Sequence, residues 1–253
     1  MNPLQQTVMA ELGQQTLPSG PVGHPEEKAS AFRGKLLRWA TTHPRPFAWR
    51  QRGISSFTVL LAEALLTRTR AQSVERVLLR LLERSEDPRG FARLEILELE
   101  RILHPLGLHR KRARALKKCA QMIVERHQGH VPDDHAELME LPSVGRYGAS
   151  AIRCFGFGKR CAIVDANVAR IIRRVFGLSV VAGKLSAADE LWEFALKILP
   201  RTNVRAFNWA LLDFGREICK GSSPACAECP VAKICEAHES GRCRCRQHLV
   251  QDS

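Results

Sequence analysis

Apolar residues recur along most of this chain at the three-to-four spacing of a helix buried on one side. Residues 57–82 show it first, with Val59, Leu60, Ala64 and Leu65 followed by Val74, Val77, Leu78 and Leu81. Residues 108–126, 147–155, 167–176 and 189–199 repeat it. Breakers separate these stretches: Asp87-Pro88-Arg89-Gly90, Pro105-Leu106-Gly107, Gly129-His130-Val131-Pro132, Pro142 and residues 156–158. No long alternating run signals a strand. The pattern predicts an all-α fold without a repeat of fixed period. Residues 1–28 read differently. They are rich in Gln, Gly, Pro and Ser, which predicts a disordered tail with a short helical patch around residues 8–12 and order from Ala29 onward.

The chain has 253 residues, of which 45% are hydrophobic and 26% charged. No apolar run approaches the ~20 residues of a membrane span, and residues 1–28 lack the pattern of a secretory signal. A cytoplasmic, nucleoid-associated protein with no membrane partner is expected. Lys and Arg number 39 against 26 acids, a net charge of +13. Such an excess points to a polyanion, nucleic acid first. It is concentrated in residues 101–126, where eight basic residues, Lys111 and Arg112 among them, meet only Glu125. A solvated helix face is the ordinary reading of a charge run, but acidic partners one turn away are nearly missing here.

The chain contains nine cysteines, and without an export signal they argue for metal or cluster ligation over disulfides. Cys219, Cys226, Cys229 and Cys235 form C-x6-C-x2-C-x5-C, so four thiols lie within 17 residues. Ser222-Ser223-Pro224 and Pro230 supply the turns that let them converge. Zinc and a [4Fe–4S] cluster are both chemically possible. Zinc sites usually use two C-x2-C knuckles and only one is present, which favours the cluster. Cys119, Cys154 and Cys161 read as core residues, and Cys243 and Cys245 in the basic tail take no role.

Leu141-Pro142-Ser143-Val144-Gly145 lies between two helical stretches, a short hairpin of the kind that presents backbone N–H groups to a phosphate. Asp165 follows 20 residues after Gly145, behind the apolar run of residues 162–164 and ahead of a helix. It reads as an N-cap, held in place by the first turn's N–H groups and available at the mouth of a cleft.

With these residues in hand, the chain resembles a helix-hairpin-helix DNA glycosylase of the endonuclease III class. Four features agree in order: Ala62-Glu63-Ala64-Leu65-Leu66-Thr67-Arg68-Thr69, the hairpin, Asp165 and the cysteine loop. The resemblance runs over residues 35–237. The family hairpin reads L-P-G-V-G, and Ser143 replaces its first glycine. If that position needs a positive φ, serine costs about 1 kcal/mol or more there. The resemblance implies two helical lobes around a DNA cleft: a six-helix lobe over 57–158 and a cluster lobe from 29–56 plus 159–238, with a basic tail after it. It also implies a monomer that binds double-stranded DNA carrying a mismatched or damaged base. It implies a [4Fe–4S] cluster on Cys219, Cys226, Cys229 and Cys235.

The residue two past Gly145 separates the branches of the family. Strand-cleaving members place a lysine there. This chain has Tyr147, its only tyrosine, and a phenol forms no Schiff base. Tyrosine is the residue of the mismatch-specific thymine glycosylases. Thr67-Arg68 stands where the adenine glycosylases have two glutamines, and only 18 residues follow Cys235, too few for the adenine branch's reader domain. Pro44-Arg45-Pro46-Phe47-Ala48-Trp49-Arg50 resembles an N-terminal signature that both branches share. The resemblance thus implies a monofunctional glycosylase removing thymine or uracil from G·T or G·U pairs. An adenine glycosylase acting opposite guanine or 8-oxoguanine is the first alternative, and a non-catalytic DNA-binding protein the second. The implied roles put Asp165 beside the sugar, Glu63 against the extruded base and Tyr147 beside both. Arg68 fills the vacated stack. Thr67, Leu141, Ser143, Val144, Gly145, Arg146, Lys111 and Arg112 hold the DNA.

Overall fold

The computed structural model describes residues 25–178 and 189–243. Residues 1–24, which include the expected helical patch, and residues 244–253, which include Cys245, lie outside the described residues. Among the described residues every regular element is helical. Helix α1 is Pro25–Thr42, starting four residues ahead of the expected boundary at Ala29. A proline suits the first helical turn because the N–H it lacks has no intrahelical partner there, and Glu26 and Glu27 complement the dipole. Ala29, Phe32, Leu36 and Trp39 line its buried side.

The periodic stretch 57–82 is two helices, α2 (Ser56–Leu66) and α3 (Ala71–Leu82). The break falls at Thr67–Arg70 without a glycine or proline. Arg68 takes a left-handed φ of 56° to turn the chain. Asp87-Pro88-Arg89-Gly90, expected to interrupt helix, instead starts one. Asp87 caps α4 (Pro88–Arg93), accepting hydrogen bonds from the N–H groups of Arg89 and Gly90. Then come α5 (Ile96–Leu103), α6 (His109–His127) and α7 (His135–Glu140). Next is α8 (Arg146–Ala151), which runs on into a π-helical turn at Ile152–Gly156. There Gly156 lies against Ser56, whose Cα would stand 3.0 Å from any added Cβ. Helix α9 is Ala166–Phe176, α10 Asp189–Lys197, α11 Val204–Glu217 and α12 Glu236–Glu239.

The apolar residues sort into two cores. One gathers α2 to α8 around Leu61, Leu78, Phe91, Leu103 and Ile123. The other joins α1 to α9, α10, α11 and the cysteine loop around Phe32, Leu36, Ile172 and Phe207. Phe47 and Trp49 belong to the first core, so the segment 29–56 divides between the lobes instead of falling wholly with the second. Tyr147, Val204 and Leu212 pack against both cores and mark the seam between them. The seam is where the candidate site lies.

Candidate active site and cysteine centre

Glu63 sits on α2 among Leu60, Leu61, Ala62 and Leu65 and is 8% exposed. The Tyr147 hydroxyl stands beside its carboxylate and favours the charged form. The carboxyl oxygen Oε2 is buried and meets no hydrogen-bond donor among the described residues. Loss of solvation outweighs the attraction of Arg50 and raises the Glu63 pKa from 4.5 to about 7, with nearby Asp165 adding to the rise. Burial first, and then the same two carboxylates, push the Tyr147 phenol well above its ordinary value. Tyr147 is therefore a donor throughout the physiological range. Both residues line a cleft with about 460 Å³ of empty space, bounded by Leu60, Thr67 and the hairpin residues Ser143, Val144 and Gly145.

Arg50 was passed over in the sequence as part of a shared signature, yet it orders one wall of this site. Its guanidinium forms a two-pronged pair with Asp213 on α11, at 2.6 and 3.0 Å. It also stands over the rings of Phe47 and Trp209. The signal available was the buried Asp213 within an otherwise apolar face of α11, which needs a cation to be tolerated.

Asp165 caps α9 from the second lobe. Its Oδ1 accepts the N–H groups of Asn167 and Val168, both at 2.8 Å, and its Oδ2 accepts the Asn167 side-chain amide at 2.7 Å. Arg170 continues the chain of contacts, donating to Asn167 Oδ1 and to the carbonyls of Gly215 and Cys219. A side chain at Gly215 would strike Asn167, with a Cβ only 2.7 Å from the asparagine's, so glycine there permits the close packing. The acid is thereby tied to the first residue of the cysteine loop.

The hairpin turns at Ser143 with φ 69°, so the serine occupies a left-handed position. Leu141 and Val144 point into the core, leaving Ser143 and Gly145 exposed. A Cβ at Gly145 would meet nothing within 4 Å, so packing does not require glycine and the open space admits an external group. Thr67 and Arg68 are exposed on the loop after α2, and Lys111 is exposed on α6. Arg112 departs from expectation. Its guanidinium faces inward and donates to the carbonyls of Leu65 and Thr67 and to the Thr69 hydroxyl, at 2.8–3.1 Å. It satisfies the carbonyls that α2 leaves open at its C-terminal end. Arg146 pairs with Asp189 at 2.5 Å and lies over the Trp192 ring.

Cys219, Cys226, Cys229 and Cys235 line a single cleft with about 330 Å³ of empty space, walled by Val175, Phe214 and Ile218. Cys243 lines it too, its Sγ 3.4 Å from that of Cys226. Two 3₁₀ turns, Cys226–Glu228 and Ala232–Ile234, bring the loop residues around. Arg174 donates to Cys219 Sγ at 3.5 Å. Burial raises the Cys229 thiol to about 12 and raises Cys235, so thiolates persist in this apolar nest only against a bound cation. No three His, Cys, Asp or Glu side chains among the described residues converge closely enough to hold a single metal ion. A set of thiols spread around one cleft is a donor set of the chemical kind that iron–sulfur groups use.

Comparison with known proteins agrees with this geometry. The family model of HhH-GPD superfamily base excision DNA repair proteins matches residues 61–196. A thymine/uracil-DNA glycosylase of Pyrobaculum aerophilum is 34% identical over 204 residues, covering 79% of this chain and 88% of its own. A human adenine DNA glycosylase is 29% identical over 84% of this chain and 40% of its own length. The solved structure of a thermostable thymine-DNA glycosylase superposes with a TM-score of 0.77 at 30% identity, over 85% of this chain and 98% of that one.

Proposed function

We infer substrate and chemistry from one premise: the chain belongs to the HhH-GPD superfamily of base excision DNA repair proteins and is a DNA glycosylase. The reading supported best is a monofunctional enzyme that removes thymine or uracil mispaired with guanine. The observation that carries it is Tyr147 at the seam between the cores, beside Glu63 in the cleft, at the position where the resemblance puts an amine in strand-cleaving members. The relatives named for thymine and uracil support the same choice.

The proposed course begins with extrusion of the mispaired base, which is the cheapest pair to open. Arg68, already turned outward on its loop, fills the space left in the stack. Ser143, Gly145, Thr67, Lys111 and Arg146 line the path of the backbone, with Leu141 and Val144 supporting the hairpin from beneath. The base enters the cleft against Glu63. Entry displaces water there and holds the Glu63 carboxyl in its protonated form, donating to the pyrimidine oxygen on which charge gathers. As the bond from C1′ to the base nitrogen breaks, the sugar becomes cationic and faces the Asp165 carboxylate. Water adds at C1′ and its proton leaves with the departing base. Arg112 anchors the end of α2 and so fixes where Thr67 and Arg68 stand.

In this reading the DNA runs between a lobe of α2 to α8 and a lobe of α1 and α9 to α12, a division supported by the two separate cores. In the second lobe Cys219, Cys226, Cys229 and Cys235 would hold a [4Fe–4S] cluster. When bound, it supplies a rigid anchor for a loop with almost no regular structure, and through Cys219 and Arg170 for the Asp165 cap. The enzyme acts as a monomer. A second reading, adenine opposite guanine or 8-oxoguanine, has one observation behind it: a Glu63 carboxyl protonated near neutral pH could also protonate a purine nitrogen. Duplexes carrying G·T, G·U, A·G and A·8-oxoguanine separate the two. The proposal expects abasic product from G·T and G·U, with strands cut only after alkali and no adduct trapped by borohydride. Adenine release, or nicking without alkali, overturns it.

A further inference from the structure

Cys243 lies eight residues beyond Cys235, outside the four-cysteine spacing. The chain nevertheless returns to the cleft. After the single turn of α12, Gly241 adopts a φ of 67° and donates its N–H to the His238 carbonyl. Arg242 bonds to Ser240 and to Glu236 on that turn, both at 2.8 Å. The Cys243 N–H donates to the Ala237 carbonyl, also at 2.8 Å. Cys243 packs half-buried against the second core and lines the same cleft as the four loop cysteines. Five sulfurs therefore face one cleft, while a cubane of four irons takes four protein thiolates.

The surplus sulfur has a definite neighbour. Cys243 Sγ stands 3.4 Å from Cys226 Sγ. Cys219 and Cys235 are buried at 8% and 7% exposure, whereas Cys226 occupies the more open 3₁₀ turn at the rim. The fifth sulfur is next to one of the two half-buried loop cysteines, Cys226 and Cys229, and not to the buried pair.

We propose that Cys243 is a fifth sulfur donor of the cysteine centre, replacing Cys226 on its iron when that ligand is lost. The proposal rests on the cluster reading given above. In the exchange the iron–sulfur bond to Cys226 breaks and a bond to Cys243 forms. The proton of the Cys243 thiol passes to the departing Cys226 thiolate. No electron moves and the charge of the centre is unchanged.

Iron, inorganic sulfide and visible absorbance measured on full-length purified variants test it without recourse to activity. Wild type should carry about four irons and four sulfides per chain. Cys226→Ser should keep at least about half of that. Cys229→Ser and the double variant Cys226→Ser/Cys243→Ser should keep less than about a tenth, losses of the size expected when a ligand is removed. A Cys226→Ser protein as empty as the double variant overturns the fifth donor alone. Wild type without sulfide, or with stoichiometric zinc, overturns the cluster reading and the proposal with it. If Cys226→Ser does not yield folded protein, Cys243→Ser decides. Its absorbance in aerated buffer should decay about threefold faster than wild type, because a released iron has no second sulfur to take it up. An equal rate overturns the proposal.

Discussion

Glu63 and Asp165 come from opposite lobes and stand close enough to feel each other's charge, in opposed surroundings. Glu63 lies within an apolar stretch of α2, with the Tyr147 phenol beside it and one buried oxygen left without a donor among the described residues. Asp165 stands at a helix N-terminus and accepts three hydrogen bonds. The first environment favours a neutral carboxyl, the second a fixed acceptor with its place dictated by backbone. Two carboxylates held this differently suit two tasks, one donating to a leaving base and one facing a cationic sugar. The division follows from where each residue sits on its helix. A mid-helix acid finds no backbone N–H to accept, whereas an N-cap acid finds two.

Removing the charge at the cap should have the largest effect. Asp165→Asn keeps the cap geometry but not the charge, so mismatch-duplex affinity should stay within a few-fold. The single-turnover rate of base release should fall by about a hundredfold or more. Near-normal release by this variant would break the comparison on its Asp165 side.

Thermodynamics gives the next test, on the Glu63 side. The folded-state pKa of about 7 lies above the reference 4.5. The stabilising contribution of the neutral carboxyl is therefore complete below about 4.5 and is lost as pH rises through about 7. Glu63→Gln does not titrate. Denaturant melts should show the variant equal to wild type in acid and more stable by up to about 3 kcal/mol in mild alkali. A stability gap that does not grow with pH would place Glu63 in a wetter site than the one described.

Arg112→Ala should cost about 2 kcal/mol by the same melts, since it uncovers the last carbonyls of α2. It should disturb base placement against Glu63 while leaving the Asp165 cap untouched, 53 residues away along the chain and in the other lobe. Ser143→Gly should have the smallest effect, a gain of about 1 kcal/mol from relief of the left-handed backbone. Its rate of base release should match wild type, and a loss of stability would mean that the serine side chain holds the turn.

Local chemistry was legible in the sequence and long-range pairing was not. The Asp165 cap and the convergence of Cys219, Cys226, Cys229 and Cys235 follow from spacing, because each involves neighbours within one or two turns. The positive φ at Ser143 is raised only by the resemblance, whose hairpin has glycine there, and the structure supplies it. Arg50 with Asp213 could not be read, since its partner lies 163 residues away. Arg112 reads from the sequence as one of the basic residues that hold DNA, because nothing local reveals that the end of α2 lies beneath it. The Asp87-Pro88 pair looked like an interruption, though a cap followed by proline at the first helical position starts a helix equally well. Cys243 had no visible role until the turn at Gly241 folded it back.

The central claim, that Glu63 works as an acid and Asp165 as a fixed anion, is tested most directly by one pH profile. Single-turnover base release from a G·U duplex is followed between about pH 5 and about pH 9 for wild type and Glu63→Gln. The account predicts that the wild-type rate falls as pH rises through about 7, where Glu63 loses its proton. The glutamine variant, which donates without titrating, should lose that inflection and keep measurable activity. A wild-type rate that instead rises through the same range, with a glutamine variant that is inactive at every pH, would make Glu63 a base and contradict the account.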